Sequence, residues 1–179
     1  MMNEDEYYLN PEFTGDTFEE RTGDPDSFSA GIGRIVLNFS ELEAQISNGI
    51  VKCLQLDEER GRIVTSEISF KSKVYILSSL VKHLSGQWKF NVGDRDTLKC
   101  WEEIQKQCFR AEEKRNLIMH SEWAGPYLRD LKAHRIKYSA KAKSGLKRQT
   151  EPIDSGGMLD IADYIITVAT FVEEFFLTT

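Results

Sequence analysis

The chain has 179 residues, of which 29% are charged and 40% belong to the set AVILMFWYC, with a formal net charge of −6. That length suits one domain with a tail, and the apolar share is enough for a packed core, so a fully disordered chain is excluded. The longest apolar run near the C-terminus, Tyr164 to Val172, has nine residues against the roughly 20 of a bilayer span, so no transmembrane helix and no membrane partner are expected.

The charge is segregated. Residues 1–27 hold nine acids and one base (Arg21), hence −8, whereas residues 28–128 hold thirteen acids and fourteen bases, hence +1. Residues 129–148 hold eight bases and one acid (Asp130), hence +7, and residues 149–179 hold six acids and no base, hence −6. The overall balance discourages nucleic-acid binding, while the local basic segment favours it. The acidic N-terminal stretch lacks the basic start and apolar run of a secretory signal. Cys53, Cys100 and Cys108 form no Cys-x-x-Cys pair, and an odd count at helix-like positions argues for reduced thiols in the cytoplasm. No disulfide, no metal site and no cofactor are expected.

Residues 1–27 mix acids with Pro11, Gly15, Gly23 and Pro25 and show no periodicity, which predicts a flexible acidic arm followed by one domain over 28–179. From Phe28 to Leu54 the apolar residues Phe28, Ile32, Ile35, Phe39, Leu42, Ile46, Ile50 and Leu54 recur at helical spacing. Residues 57–68 read as a short helix or turn. A second long helix is predicted over Phe70–Leu84, with Ser69 as its N-cap. A third runs from Asp94 or Asp96 to near Ser121, with Leu98, Trp101, Ile104, Cys108, Ala111, Arg115 and Ile118 on its stripe. A fourth is predicted over Asp154–Phe176.

Between the third and fourth helices the pattern changes period. From Ala133 to Lys143 the residues alternate, with His134, Ile136, Tyr138, Ala140 and Ala142 on one face and Arg135, Lys137, Ser139, Lys141 and Lys143 on the other. Period-two alternation predicts a strand, Ser144-Gly145 a turn, and Leu146–Thr150 a returning strand. The fold class is therefore mainly α: an up-and-down bundle of four principal helices with a β-hairpin, at about 131–150, inserted between the last two. The basic face of the hairpin, with Arg135, Lys137, Lys141 and Lys143 joined by Lys147 and Arg148, is a candidate phosphate-binding surface.

Two residues break their helical stripes. Arg115 falls in the middle of the third helix's apolar face, where a charge must be paired or serve a cleft. Glu43 sits at the margin of the first helix's buried face, and an ion pair between Glu43 and Arg115 is expected. Asn116 and His120, four apart, share a neighbouring face of the third helix. Lys71 and Lys73 are expected to solvate a helix face.

The stretch Arg115-Asn116-Leu117-Ile118-Met119-His120 resembles the signature of the HEPN superfamily: an Arg, often followed by a polar residue, with His a few positions on, late in a helix of a helical bundle. Phe39-Ser40-Glu41-Leu42-Glu43 and Ile68-Ser69-Phe70-Lys71-Ser72-Lys73 are similar to the corresponding segments of small bacterial or phage-type members. The resemblance implies a metal-independent endoribonuclease working as a homodimer, with Arg115, Asn116 and His120 catalytic at the dimer interface. Toxin–antitoxin and defence roles, with an antitoxin-type protein partner, follow from the same resemblance. The family also includes inactive members that bind RNA, nucleotides or proteins, and this is the alternative function. The long basic hairpin is not part of the family pattern. The acidic arm over a basic hairpin would also suit a protein regulated by masking in cis.

Overall fold

The computed structural model describes residues 25–93, 95–124, 133–141 and 145–177. Among these residues the chain forms five α-helices and one three-stranded antiparallel sheet. In order they are α1 (Pro25–Leu54), α2 (Glu58–Thr65), α3 (Phe70–Leu84), α4 (Thr97–Met119), β1 (Glu122–Ala124), β2 (Ala133–Lys141), β3 (Gly145–Ile153) and α5 (Ser155–Phe175). The residues proposed for the acidic arm up to Asp24 lie outside the described residues, as does Lys143.

Two compact units are distinguished. One comprises Gly31–His120 with Met158–Thr179, and the other comprises Ser121–Gly157 with the N-terminal part of the chain up to Ala30. The helical unit is built on the stripes that the sequence announces. On α1, Ile35, Leu42, Ile46 and Ile50 have no exposed surface. Val74, Leu77 and Val81 of α3, Cys108, Ala111 and Ile118 of α4, and Ile165, Val168 and Val172 of α5 are equally buried. Aromatic rings close one end, where Trp101 packs 5.2 Å from Phe175 and donates from Nε1 to Ser78 Oγ at 2.9 Å.

The helix starts follow side-chain chemistry. Asp57, Ser69 and Asp96 each accept a backbone N–H of the first turn, at α2, α3 and α4 respectively. Asp154 Oδ1 accepts Gly157 N–H at 2.8 Å at the head of α5. The short α2 lies against α1 because Gly61 has no side chain: a Cβ there would sit 2.4 Å from Val51 Cγ2. Helix α5 is 21 residues long, and its most apolar window has a mean hydropathy of 1.3, enough by length and composition to cross a membrane. Met158, Ile161, Ala162, Ile165, Val168, Ala169, Val172 and Phe175 are nevertheless turned inward, as in the core helix of a globular unit.

In the sheet unit the order is β1-β2-β3, with Trp123 opposite Arg135 and Arg135 opposite Glu151. The expected hairpin is therefore present, over 133–153, and gains a short third strand, β1. Gly145, with φ +66°, takes the left-handed conformation at the start of β3 that an L-residue resists. The two hairpin faces do not divide into buried and basic as the alternation predicted. The division runs along the strands: Arg135 and Ile136 are both buried, whereas Lys137, Tyr138 and every residue from Gly145 to Pro152 are exposed. Phe28 packs edge-on to Trp123 with ring centroids 5.4 Å apart, which ties the first turn of α1 to β1.

Burial raises the Cys108 thiol from 9.0 to about 12, against a smaller lowering by its backbone hydrogen bond, and raises Cys53 to about 11. The folded state then keeps protons that the unfolded chain releases. This contribution to stability is whole below about pH 9 and is lost as the pH climbs from there towards 12. Unfolding by denaturant, measured on either side of pH 9, should show stability falling with pH, and Cys108→Ala should make the fall shallower. An unchanged slope in the variant would refute this assignment.

Candidate functional site

Arg115 lies one helical turn before the end of α4. Its flat guanidinium rests over the Phe39 ring of α1, 5.4 Å from the centroid, and Nη1 donates to Asn116 Oδ1 at 2.9 Å. This cation–π contact lets a charged group occupy an otherwise apolar stripe without a carboxylate. Among the described residues no carboxylate forms an ion pair with Arg115.

The expected Glu43–Arg115 pair is not formed. Glu43 Oε1 instead accepts from Lys73 Nζ of α3 at 2.7 Å. Lys73 is 7% exposed at its side chain, so the expectation that it solvates a helix face is also corrected; Lys71 is exposed. The reason is geometric. Lys73 follows the first turn of α3 on the side facing α1, and its long aliphatic stem is buried while the ammonium reaches Glu43. A buried ammonium with no carboxylate would be far costlier than a half-buried guanidinium lying on an aromatic face.

Arg115, Asn116 and Glu43 share one cavity of about 230 Å³, with Ser40, Phe39 and Glu112 also on its wall. It is a small, polar recess whose one guanidinium forms no ion pair among the described residues, although Glu43 and Glu112 share its wall. His120 is not part of that wall. It is the C-cap of α4, exposed, with its backbone N–H donating to Asn116 O at 3.0 Å. Five residues of helix separate it from Arg115, about 7.5 Å of rise and roughly 140° of rotation. Within one chain, then, Arg115 and Asn116 are brought together and His120 is held apart, open to solvent.

A larger cavity, about 740 Å³, is floored by Val92, Ile104, Phe171 and Phe175 and rimmed by charges of both signs, including Arg95 and Glu103. Cys100 lines it and is half-buried, unlike the buried Cys53 and Cys108. Among the described residues, no three His, Cys, Asp or Glu side chains converge in a way that could hold a metal ion.

The basic residues of the hairpin separate into different settings. Arg135 is 6% exposed and its Nη2 pairs with Glu151 across the strands, so it is a structural cation and not an open phosphate contact. Lys137 and Lys147 are exposed, and the register places them with Lys141 on one face. Arg148 is exposed on the other face, directly opposite Tyr138. Sequence reasoning missed Lys73, although its place one turn into a capped helix, on the side of Phe70 and Val74, carried the signal.

No protein-family model, no curated protein and no solved structure matches this chain.

Two substitutions separate the observed pairing from the expected one. Glu43→Ala strands the Lys73 ammonium and should cost about 1–3 kcal/mol, below the 3–5 of a fully enclosed pair because Glu43 keeps about a third of its side chain in water. Arg115→Ala leaves the Glu43–Lys73 pair intact and should cost about 1 kcal/mol or less, the lost cation–π contact. Thermal unfolding of both variants checks the order, and a larger loss for Arg115→Ala would overturn it.

Proposed function

We propose that this chain is an HEPN-like endoribonuclease that cleaves RNA without a metal ion, acting as a homodimer whose two protomers each supply one His120. The observation that carries the reading is Arg115: a cation without a carboxylate partner among the described residues, oriented by Asn116 on the wall of a polar recess. A guanidinium so placed suits a phosphate, because its planar N–H groups match two phosphate oxygens. The reading includes the finer architecture, in which α1, α3, α4 and α5 form an up-and-down bundle. It also includes a cytoplasmic setting and, as regulation, an antitoxin-type protein partner of a toxin or defence system.

The chemistry needs two proton transfers. A base removes the proton from the 2′-OH of the nucleotide, and O2′ attacks the adjacent phosphorus. The P–O5′ bond breaks as the P–O2′ bond forms, and an acid delivers a proton to O5′. The products are a 2′,3′-cyclic phosphate and a 5′-hydroxyl. Imidazole can serve as either base or acid near neutral pH. One chain has one exposed histidine at the motif, so a two-fold axis would pair base with acid. Arg115 would hold the phosphate oxygens as charge builds on them. On the hairpin, Lys137 and Lys147 with Lys141 on one face, and Arg148 on the other, would contact RNA phosphates.

The separation of His120 from the Arg115 recess favours a second reading, in which the chain binds RNA or a nucleotide at Arg115 and cuts nothing. One experiment divides them. Under the catalytic reading, single-stranded RNA is cut in the presence of EDTA and leaves 2′,3′-cyclic ends. His120→Ala then lowers the rate about 10²–10⁴-fold, the usual range for a lost general acid or base, with no change in melting temperature. Equal cutting by His120→Ala, or no cutting by the purified homodimer, would leave the binding reading in its place.

A further inference from the structure

We propose that the acidic N-terminal segment, residues 1–24, docks in cis on the outer half of the hairpin, on the face that carries Lys137 and Lys147, and competes there with RNA. The competition rests on the reading of the chain as an RNA-processing protein; the docking does not.

Three observations carry the docking. The first is charge. Residues 1–24 hold eight acids and one base, and hairpin residues 133–153 hold six bases and one acid. That acid, Glu151, is already committed to the buried Arg135, which leaves the exposed bases of the outer half without an acid of their own in the hairpin. The second is the open surface. Every residue of β3 from Gly145 to Pro152 is exposed, β3 is an edge of the sheet, and Lys137 and Tyr138 of β2 are exposed beside it. Lys137 and Lys147 share one face of the two strands, while Leu146, 71% exposed, and Tyr138, 46% exposed, lie with Arg148 on the other.

The third is where the segment is attached. Residue 24 leads directly into α1, and the first turn of α1 is fixed to β1 by the Phe28–Trp123 contact. Trp123 faces Arg135, and Ser139, the register partner of Lys147, lies four residues further along β2. Lys147 is therefore about 13 Å along the strands and about 10 Å across them from the anchor. A 24-residue segment can reach about 80 Å, and fewer than ten extended residues cover this path. Tethering at that range gives a local concentration in the millimolar range, so exposed ion pairs that are individually weak add up to occupancy at low salt.

The test uses the full-length chain, as a mixture of isotope-labelled and unlabelled protein, with a carbodiimide that joins carboxylates to lysines only at direct contact. Docking in cis gives cross-links from carboxylates of residues 1–24 to Lys137 or Lys147 within chains of one label, and high salt suppresses them. No such cross-links, or cross-links only between differently labelled chains, overturns the proposal; the second result would assign the surface to another copy. The companion variant Glu4→Gln, Asp5→Asn, Glu6→Gln, Glu19→Gln and Glu20→Gln should bind a single-stranded RNA oligomer about tenfold or more tightly at low salt, the gain fading as salt rises. Intrachain cross-links together with no RNA binding by either form would uphold the docking and remove the RNA reading.

Discussion

A buried ammonium requires a carboxylate, and the site is arranged around that requirement. Lys73 sits on the inward side of α3, and Glu43 of α1 is the acid that meets it, at 2.7 Å. The pair crosses between two helices, so it also sets how α1 and α3 align at this level of the core. With Glu43 paired to Lys73, the guanidinium of Arg115 forms no ion pair among the described residues and rests on the Phe39 ring with Asn116 as its acceptor. Arg115 is thus available as a cation because Lys73 is not. Had Glu43 paired with Arg115, the recess would present a neutralised ion pair, and the attraction for an anion would be largely cancelled.

The legibility of the sequence follows the strength of each physical signal. The four long helices were legible because each carries three or more turns of apolar residues at constant spacing, and the cap Ser69 was legible because a short acceptor before a periodic run has few other uses, whereas Asp96 and Asp154 were legible only as possible helix starts. The hairpin was legible from a switch of period at Ala133. Strand β1 was not, because three residues are too few to display alternation. The ion pair was misassigned because helical spacing places residues on faces without saying which neighbouring helix offers its charge. Two cations, Lys73 and Arg115, competed for one acid, and spacing alone does not rank them.

The hairpin shows a further limit of alternation. Period two says that Arg135 and Lys137 share a face, and they do. It does not say how far along the strand burial extends. Arg135 lies in the enclosed base of the hairpin and needs Glu151 opposite; Lys137, two residues on, is in solvent. One basic stripe therefore serves two purposes, a structural cation at the base and open charge beyond it.

Helical geometry also constrains how Arg115 and His120 can act together. Both lie at the end of α4, yet five residues of helix turn them through roughly 140°, so a phosphate held by the guanidinium in the recess is not presented to the imidazole of the same chain. Lengthening the side chains does not help, because the two groups leave different faces of one rigid rod. What changes the relation is a second rod. In the proposed homodimer a two-fold axis near the C-terminal end of α4 would bring the two His120 imidazoles to one cleft, one as base and one as acid, without adding any residue to either chain. An R-x-x-x-x-H spacing on a helix is poor for an intramolecular site and well suited to a symmetric one, and the exposure of His120 at the helix end leaves the imidazole open to that arrangement.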